Sequence, residues 1–162
     1  MVKISESLSY PGADLEAVYG LITSQEFRTQ SCEHQESSDI TVTVEDDGDS
    51  TTVTVVRTQA AAMPDFVKKL TGDTVKVKQT EKWGAPATDG SRSADVKVSI
   101  IGQPAEMTGT ATLTPGADGT QFDLAGDVKV SIPFIGKKIE TEVAKAIIAS
   151  LNEEVEYGMS KL

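Results

Sequence analysis

Residues 122–155 read FDLAGDVKVSIPFIGKKIETEVAKAIIASLNEEV, and the spacing of the apolar residues changes within this stretch. Up to Ile132 apolar and polar residues alternate, which is the period of a β-strand with one buried face. After Gly136 the apolar residues recur at helical spacing. The stripe consists of Ile139, Val143, Ile147, Leu151 and Val155. The sequence therefore predicts a strand followed by a long C-terminal helix with a broad apolar side.

Six further alternating segments lie upstream of this stretch. They cover approximately residues 2–10, 40–44, 53–57, 75–83, 94–100 and 107–113. Turn-forming residues separate most of them, so neighbouring strands are expected to pair antiparallel. Two short helices are predicted after the first strand, at about 15–22 and 25–32, with Asp14 as the cap of the first. Gly109 and Gly126 fall inside strands and predict bends or bulges there.

The order of these elements predicts an α+β fold, with one curved antiparallel sheet of seven strands. The two short helices are expected to close one end of the sheet, and the long C-terminal helix is expected to cross its concave face. A helix of about 20 residues spans roughly 30 Å, which is enough for that role. Sheet and helix would then enclose an interior.

Composition limits the classes of protein to consider. The 162 residues suit a single domain, 1–162, and the net charge of -10 disfavours nucleic acid and anionic lipid surfaces as partners. No window approaches the roughly 18 apolar residues that a membrane-spanning helix requires. A lone cysteine, Cys32, and the absence of a signal-like N-terminus lead to the expectation of a cytoplasmic protein.

Four polar residues interrupt the apolar phases of the strands: Glu6, Arg57, Gln79 and Glu81. A polar group in a buried position needs a partner or water, so this pattern predicts a partly polar cavity. Arg57 and Glu81 are expected to meet there as a charge-assisted pair, extended by Glu6 and Gln79. The alternative is that these side chains reach solvent at strand ends or bulges, because strand phase slips by one residue at every bulge.

Apolar side chains would form the rest of a ligand site. Candidates in the sheet and C-terminal helix are Trp83, Met107, Val143 and Ile147. Between the third and fourth strands, Met63, Phe66, Val67 and Leu70 have helical spacing and predict a short helix or flap over a cavity mouth. Static packing of the flap and simple burial of Trp83 are the alternatives.

This order of elements resembles the helix-grip architecture of the START-like superfamily. Met63-Pro64-Asp65-Phe66 and the run from Ile132 to Glu140 are similar to an uncharacterised bacterial family called domain of unknown function 2505. The resemblance covers essentially the whole chain. It implies a hydrophobic cavity beneath the last helix and no established activity from which catalytic residues could be carried over.

Catalytic and metal-binding patterns are weak, so no catalytic residue, metal ligand or cofactor is predicted. Cys32, Glu33, His34 and Glu36 are close together but lack a second cluster at zinc spacing, and a solvated surface explains them better. The sequence favours a non-enzymatic carrier of a lipid-like or other hydrophobic small molecule. A cyclase- or hydratase-type enzyme using Glu6, Glu81 or Arg57, and an acidic protein-binding scaffold with a filled core, are the alternatives.

Overall fold

A computed structural model describes residues 1–61 and 63–162. Its strands are β1 (Val2–Pro11), β2 (Ser38–Asp47), β3 (Ser50–Ala60), β4 (Thr74–Trp83), β5 (Arg92–Ile100), β6 (Ala105–Gly116) and β7 (Gly119–Val130). Its helices are α1 (Leu15–Ile22), α2 (Gln25–His34), α3 (Asp65–Thr71) and α4 (Gly136–Met159). The predicted α+β class, the seven strands and the long C-terminal helix are confirmed.

The seven strands form one antiparallel sheet in the order β1-β7-β6-β5-β4-β3-β2. Five of the six strand pairs join strands that are consecutive in sequence, as the alternating segments and their turns predicted. The exception is β1, which pairs with β7. Because β1 and β2 are the two edge strands, α1 and α2 must carry the chain from one edge of the sheet to the other.

The two N-terminal helices begin differently. Ser24 caps α2, since its hydroxyl accepts a hydrogen bond from the Phe27 amide at 3.2 Å. Asp14 occupies the N-cap position of α1, as expected, but its side chain forms no capping hydrogen bond. The carbonyl of Asp14 instead accepts the first backbone bond of the helix, from Val18 at 3.0 Å.

The long helix α4 packs on the sheet through the apolar stripe that the sequence identified. Ile139, Val143 and Val155 are buried on this side. Its N-terminal half is anchored by Glu140, whose carboxylate accepts a hydrogen bond from the Val130 amide at 2.9 Å and lies 3.3 Å from the N-terminal ammonium. In the described part of the chain, none of the helices combines the length and apolar character that crossing a membrane requires.

The pair Gly109–Gly126 marks a very close approach of β6 and β7. The register of the two strands runs through this pair without a shift, so the bulge considered from the sequence is not present. A Cβ atom on Gly109 would overlap the carbonyl oxygen of Ala125 and lie 2.7 Å from the Gly126 Cα. Glycine is therefore required at this point because the two backbones leave no room for a side chain.

Candidate functional site

An interior cavity of about 100 Å³ lies between the concave face of the sheet and α4. Strands β3 to β7 form its floor, α4 covers it, and α2 contributes side chains at one end. The apolar lining includes Val55, Val77, Val96, Val98, Ile100, Met107, Ala111, Phe122, Leu124, Val143 and Ile147. The polar lining includes Arg28, Cys32, Arg57, Gln59, Gln79, Glu81, Ser150 and Glu154. An apolar chamber with a few polar groups is the usual composition of a small-molecule site.

The Arg28 cluster, formed by Arg28, Glu81 and Glu154, stands at the end of the cavity nearest α2. Both terminal nitrogens of Arg28 donate to the Glu81 carboxylate, at 2.9 and 2.7 Å. The Nε atom of Arg28 lies 2.9 Å from Glu154 Oε1, and Nη1 also donates to the Ile22 carbonyl at 3.0 Å. The Arg28 and Glu81 side chains are 5% and 7% exposed. Their bidentate geometry is the one in which a buried ion pair is best compensated.

The protonation state of the cluster follows from its contacts. Burial alone would raise the pKa of Glu81, but the charge of Arg28 and hydrogen bonds from Arg28, Trp83 and Gln79 outweigh it and hold that pKa below its ordinary value. Burial likewise opposes the charge of Arg28, yet the two carboxylates outweigh it and raise the pKa of Arg28. The pair is therefore fully ionised at neutral pH and is not available for proton transfer.

Acidification is expected to remove the stability contributed by Glu81. Because its pKa is lower in the folded state than the ordinary 4.5, the contribution is complete above that value and is lost as the pH falls through the folded-state value. Urea unfolding between pH 7 and pH 3 should therefore show a free energy of unfolding that declines below about pH 4.5. In Glu81→Gln the decline should be shallower. An equal decline in both proteins would contradict the assignment.

Arg57 is a second guanidinium in the same cavity, with a different set of partners. It is 8% exposed. Its Nη2 donates to Ser150 Oγ at 2.7 Å, and its Nη1 lies 3.6 Å from Cys32 Sγ. Ser150 in turn donates to Gln35 Oε1 at 2.7 Å. Among the residues that the structure describes, Arg57 forms no ion pair with a carboxylate.

Cys32 faces this second guanidinium but is not activated by it. Burial raises the pKa of the Cys32 thiol, although Arg57 and Arg28 act in the opposite direction. The sulfur is therefore a neutral thiol at physiological pH, and a neutral thiol is a poor nucleophile. His34, close by in sequence, stacks on the ring of Tyr157 with a centroid distance of 4.4 Å.

The structure brings seven of the ten sequence-predicted site residues to the cavity wall and places three elsewhere. The seven are Arg57, Glu81, Gln79, Met63, Met107, Val143 and Ile147. Glu6 is half-buried on β1 and does not line the cavity, and Phe66 lies on α3 with 39% of its surface exposed. Trp83 is buried beside the cluster, where its indole nitrogen donates to Glu81 at 3.1 Å.

The expected pairing of Arg57 with Glu81 is wrong, because Glu81 is paired with Arg28. Arg28 was not among the site residues predicted from the sequence. Helical spacing in α2 was a signal that could have identified it. One side of this helix is buried and consists of Phe27, Arg28, Ser31 and Cys32. The alternation in the strands could not reveal this ion pair, since Arg28 lies in a helix, 53 residues before Glu81 in the sequence.

Comparison with known proteins connects this chain with proteins of the same fold. A family model described as a protein of unknown function, DUF2505, matches residues 5–160. Uncharacterised proteins of Mycobacterium bovis and Mycobacterium tuberculosis are 34% identical to the chain over 97 residues. Each of those alignments covers 59% of this chain and 55% of the relative, so the match spans about half the length of these proteins.

Solved structures extend the likeness over nearly the whole chain. A protein of Thermus thermophilus superposes with a TM-score of 0.59 at 17% identity, covering 96% of this chain and 95% of that one. A protein of Mycobacterium smegmatis superposes with a TM-score of 0.56 at 12% identity, covering 98% and 88%. At such low identity the likeness is evidence for the fold alone.

Proposed function

Because the chain belongs to DUF2505, a family whose description assigns no activity, we propose a function on the basis of the interior cavity. The protein binds a small hydrophobic molecule in the cavity beneath α4. The START-like resemblance favours the same reading. The observation that carries the proposal is the cavity itself, which stays open although more than ten apolar side chains line it. Protein interiors are normally close-packed, so a chamber of this size in a natural core needs an explanation.

The volume of the cavity restricts the size of the ligand. Pockets for drug-sized molecules measure about 300–1,000 Å³, and an apolar cavity of about 150 Å³ holds benzene. A chamber of about 100 Å³ suits an apolar group of roughly four to six carbon atoms. A longer chain would need additional space.

Additional space lies next to the apolar end of the cavity. A second cavity of about 20 Å³ is lined by apolar residues from α3, α4 and the end of β7. Four residues line both cavities: Met63, Ile100, Ala105 and Val143. Met63 is the most adaptable of these, since its unbranched side chain can change rotamer at low cost. Its movement would join the two spaces and admit a longer ligand.

Filling the cavity provides the test. Ala146 lines it from α4, whereas Ala149 on the same helix is exposed and does not. Ala146→Leu adds three carbon atoms to the space that the ligand would occupy, and each buried methylene is worth about 0.8 kcal/mol. We expect binding of the best alkanoate in a series from butanoate to decanoate to weaken about ten- to fiftyfold, measured by titration calorimetry and native mass spectrometry.

Ala149→Leu is the matched control and should bind like the original protein. Ala146→Leu should also melt at a higher temperature, because filling a cavity stabilises a fold. Failure of every alkanoate and of the alcohols of the same chain lengths to bind the unmodified protein would end the proposal. Unchanged affinity in Ala146→Leu would place the binding site outside this cavity.

The two alternatives from the sequence have less support. A cyclase or hydratase needs a group that exchanges a proton, but Glu81 is held as a carboxylate in a bidentate ion pair and Glu6 does not line the cavity. A protein-binding scaffold was expected to have a filled interior, which the cavity argues against.

A further inference from the structure

We propose that the ligand carries a carboxylate and that Arg57 is the residue that binds it. This inference rests on the proposed function and specifies the chemical class of the ligand: a small amphipathic acid with its apolar part against β4 to β7 and α4. The inference is based on a difference between the partners of Arg28 and Arg57, the two guanidinium groups that line the cavity.

Arg28 and Arg57 are almost equally buried, at 4% and 8% exposure, but their partners differ. Arg28 has two carboxylates within 3 Å, so its charge is compensated by residues of the chain itself. Among the residues that the structure describes, the hydrogen-bond partners of Arg57 are a hydroxyl and a thiol, which are both neutral. Buried charges in proteins are normally paired with an opposite charge, so the partner that Arg57 lacks can be supplied by a ligand.

The hydrogen-bonding inventory of Arg57 leaves room for a carboxylate. A guanidinium has five N–H donors in a planar fork. Two of them are directed at Ser150 Oγ and Cys32 Sγ, and the contact with sulfur is long at 3.6 Å. Three donors remain, which is enough for the two parallel bonds of a bidentate carboxylate. A neutral head group would form weaker hydrogen bonds, and a cationic one would be repelled.

The position of Arg57 is fixed before a ligand enters. Ser150 on α4 accepts a hydrogen bond from Arg57 on β3 and donates one to Gln35, the residue that follows α2. Both bonds are 2.7 Å long, and together they connect the three elements. A side chain held in this way loses little conformational freedom on binding, which favours affinity. The apolar residues Val77, Val143 and Ile147 line the same cavity and can contact the hydrocarbon part of the acid.

The test compares three probes of equal length: hexanoate, hexan-1-ol and hexylammonium. Titration calorimetry on the full chain should show hexanoate binding tightest and hexylammonium weakest. In Arg57→Met the affinity for hexanoate should fall about 10- to 100-fold, the range for losing hydrogen bonds to a charged group, while that for hexan-1-ol should change little. Arg57→Lys, which keeps the charge but not the fork, should retain part of the preference.

Lys78→Met is the matched control, because it removes a positive charge from β4, the strand next to β3, but Lys78 is exposed and does not line the cavity. It should keep the preference for hexanoate. Thermal melting identifies any variant that fails to fold. Octanoate and decanoate distinguish a short free acid from a fatty acid, since only a fatty acid site gains affinity with each added methylene.

The outcomes separate the two proposals. If hexan-1-ol binds the original protein as tightly as hexanoate, or if Arg57→Met keeps full affinity for hexanoate, the carboxylate assignment is overturned and the cavity remains a binding site. If none of the probes or longer alkanoates binds, both proposals fail together.

Discussion

Replacing Arg28 with methionine should lower the free energy of unfolding by about 3–5 kcal/mol. The substitution leaves the Glu81 carboxylate, 7% exposed, and the partly buried Glu154 without the cation that both contact. An unpaired carboxylate in such a place must either stay charged in a poorly solvated site or take up a proton, and both cost free energy. Urea unfolding at pH 7, followed by circular dichroism, measures the loss.

Arg57→Met is the matched control for this prediction. It removes a similarly buried guanidinium from the same cavity. In the described part of the chain it leaves no carboxylate without a partner, since the hydrogen bonds of Arg57 there are to Ser150 and Cys32. Ser150 keeps its bond to Gln35. The free energy of unfolding should stay within about 1 kcal/mol of the original, because an apolar side chain of similar size often replaces a buried charge at little cost.

A triple variant separates loss of the ion pair from loss of packing. Arg28→Met combined with Glu81→Leu and Glu154→Leu removes every member of the Arg28 cluster, so no uncompensated charge remains. It should recover most of the stability that the single variant loses. If Arg28→Met costs less than about 1 kcal/mol, or if the triple variant is no more stable than the single one, the cluster does not stabilise the fold as described.

Gly109→Ala should destabilise the protein by about 3 kcal/mol or more, because overpacking against a rigid backbone is expensive. The added methyl group would overlap the Ala125 carbonyl oxygen of the neighbouring strand. Neither backbone can move alone, since Gly109 is paired with Val96 on β5 as well as with Gly126 on β7. The urea midpoint should shift strongly, and ligand binding should weaken because β6 and β7 both line the cavity.

Gly20→Ala provides the comparison. Gly20 lies in α1, and a Cβ atom there has no neighbour within 4 Å. This substitution should stabilise the protein by about 0.5–1 kcal/mol, because alanine is the better helix former. A small effect of Gly109→Ala, comparable in size to that of Gly20→Ala, would mean that β6 and β7 can separate without cost and that their close approach does not shape the sheet.

Local patterns in the sequence predicted the fold well. Alternation identified all seven strands and their inner faces, and helical spacing identified α4. These signals are reliable for two reasons. Each depends only on residues two to four positions apart, and every strand of such a sheet has one buried face, which produces the alternation. The same alternation marked Arg57 and Glu81 as inward-facing, and both are buried.

The site was only partly predictable from the sequence. The alternation in a strand predicts which side of the sheet a residue faces, but not where along the strand the cavity lies. Glu6 and Trp83 are in the inward-facing phase of their strands, yet neither lines the cavity. The ion-pair partners of the charged residues could not be predicted from the sequence either. Glu81 binds Arg28 rather than Arg57 because α2 packs against β2 and α4 in a position from which Arg28 reaches Glu81 on β4. That position depends on the long connection between the two edges of the sheet.

By itself, the sequence determined the secondary structure, the pairing of strands that follow one another in the chain and the side of each strand that is buried, because these follow from short-range spacing and the free energy of hiding apolar surface. Only the tertiary structure decided which of the two buried guanidinium groups is paired with a carboxylate of the described residues, and whether the interior is filled. Both depend on distances between residues far apart in the chain, which are set when α2 and α4 pack against the sheet.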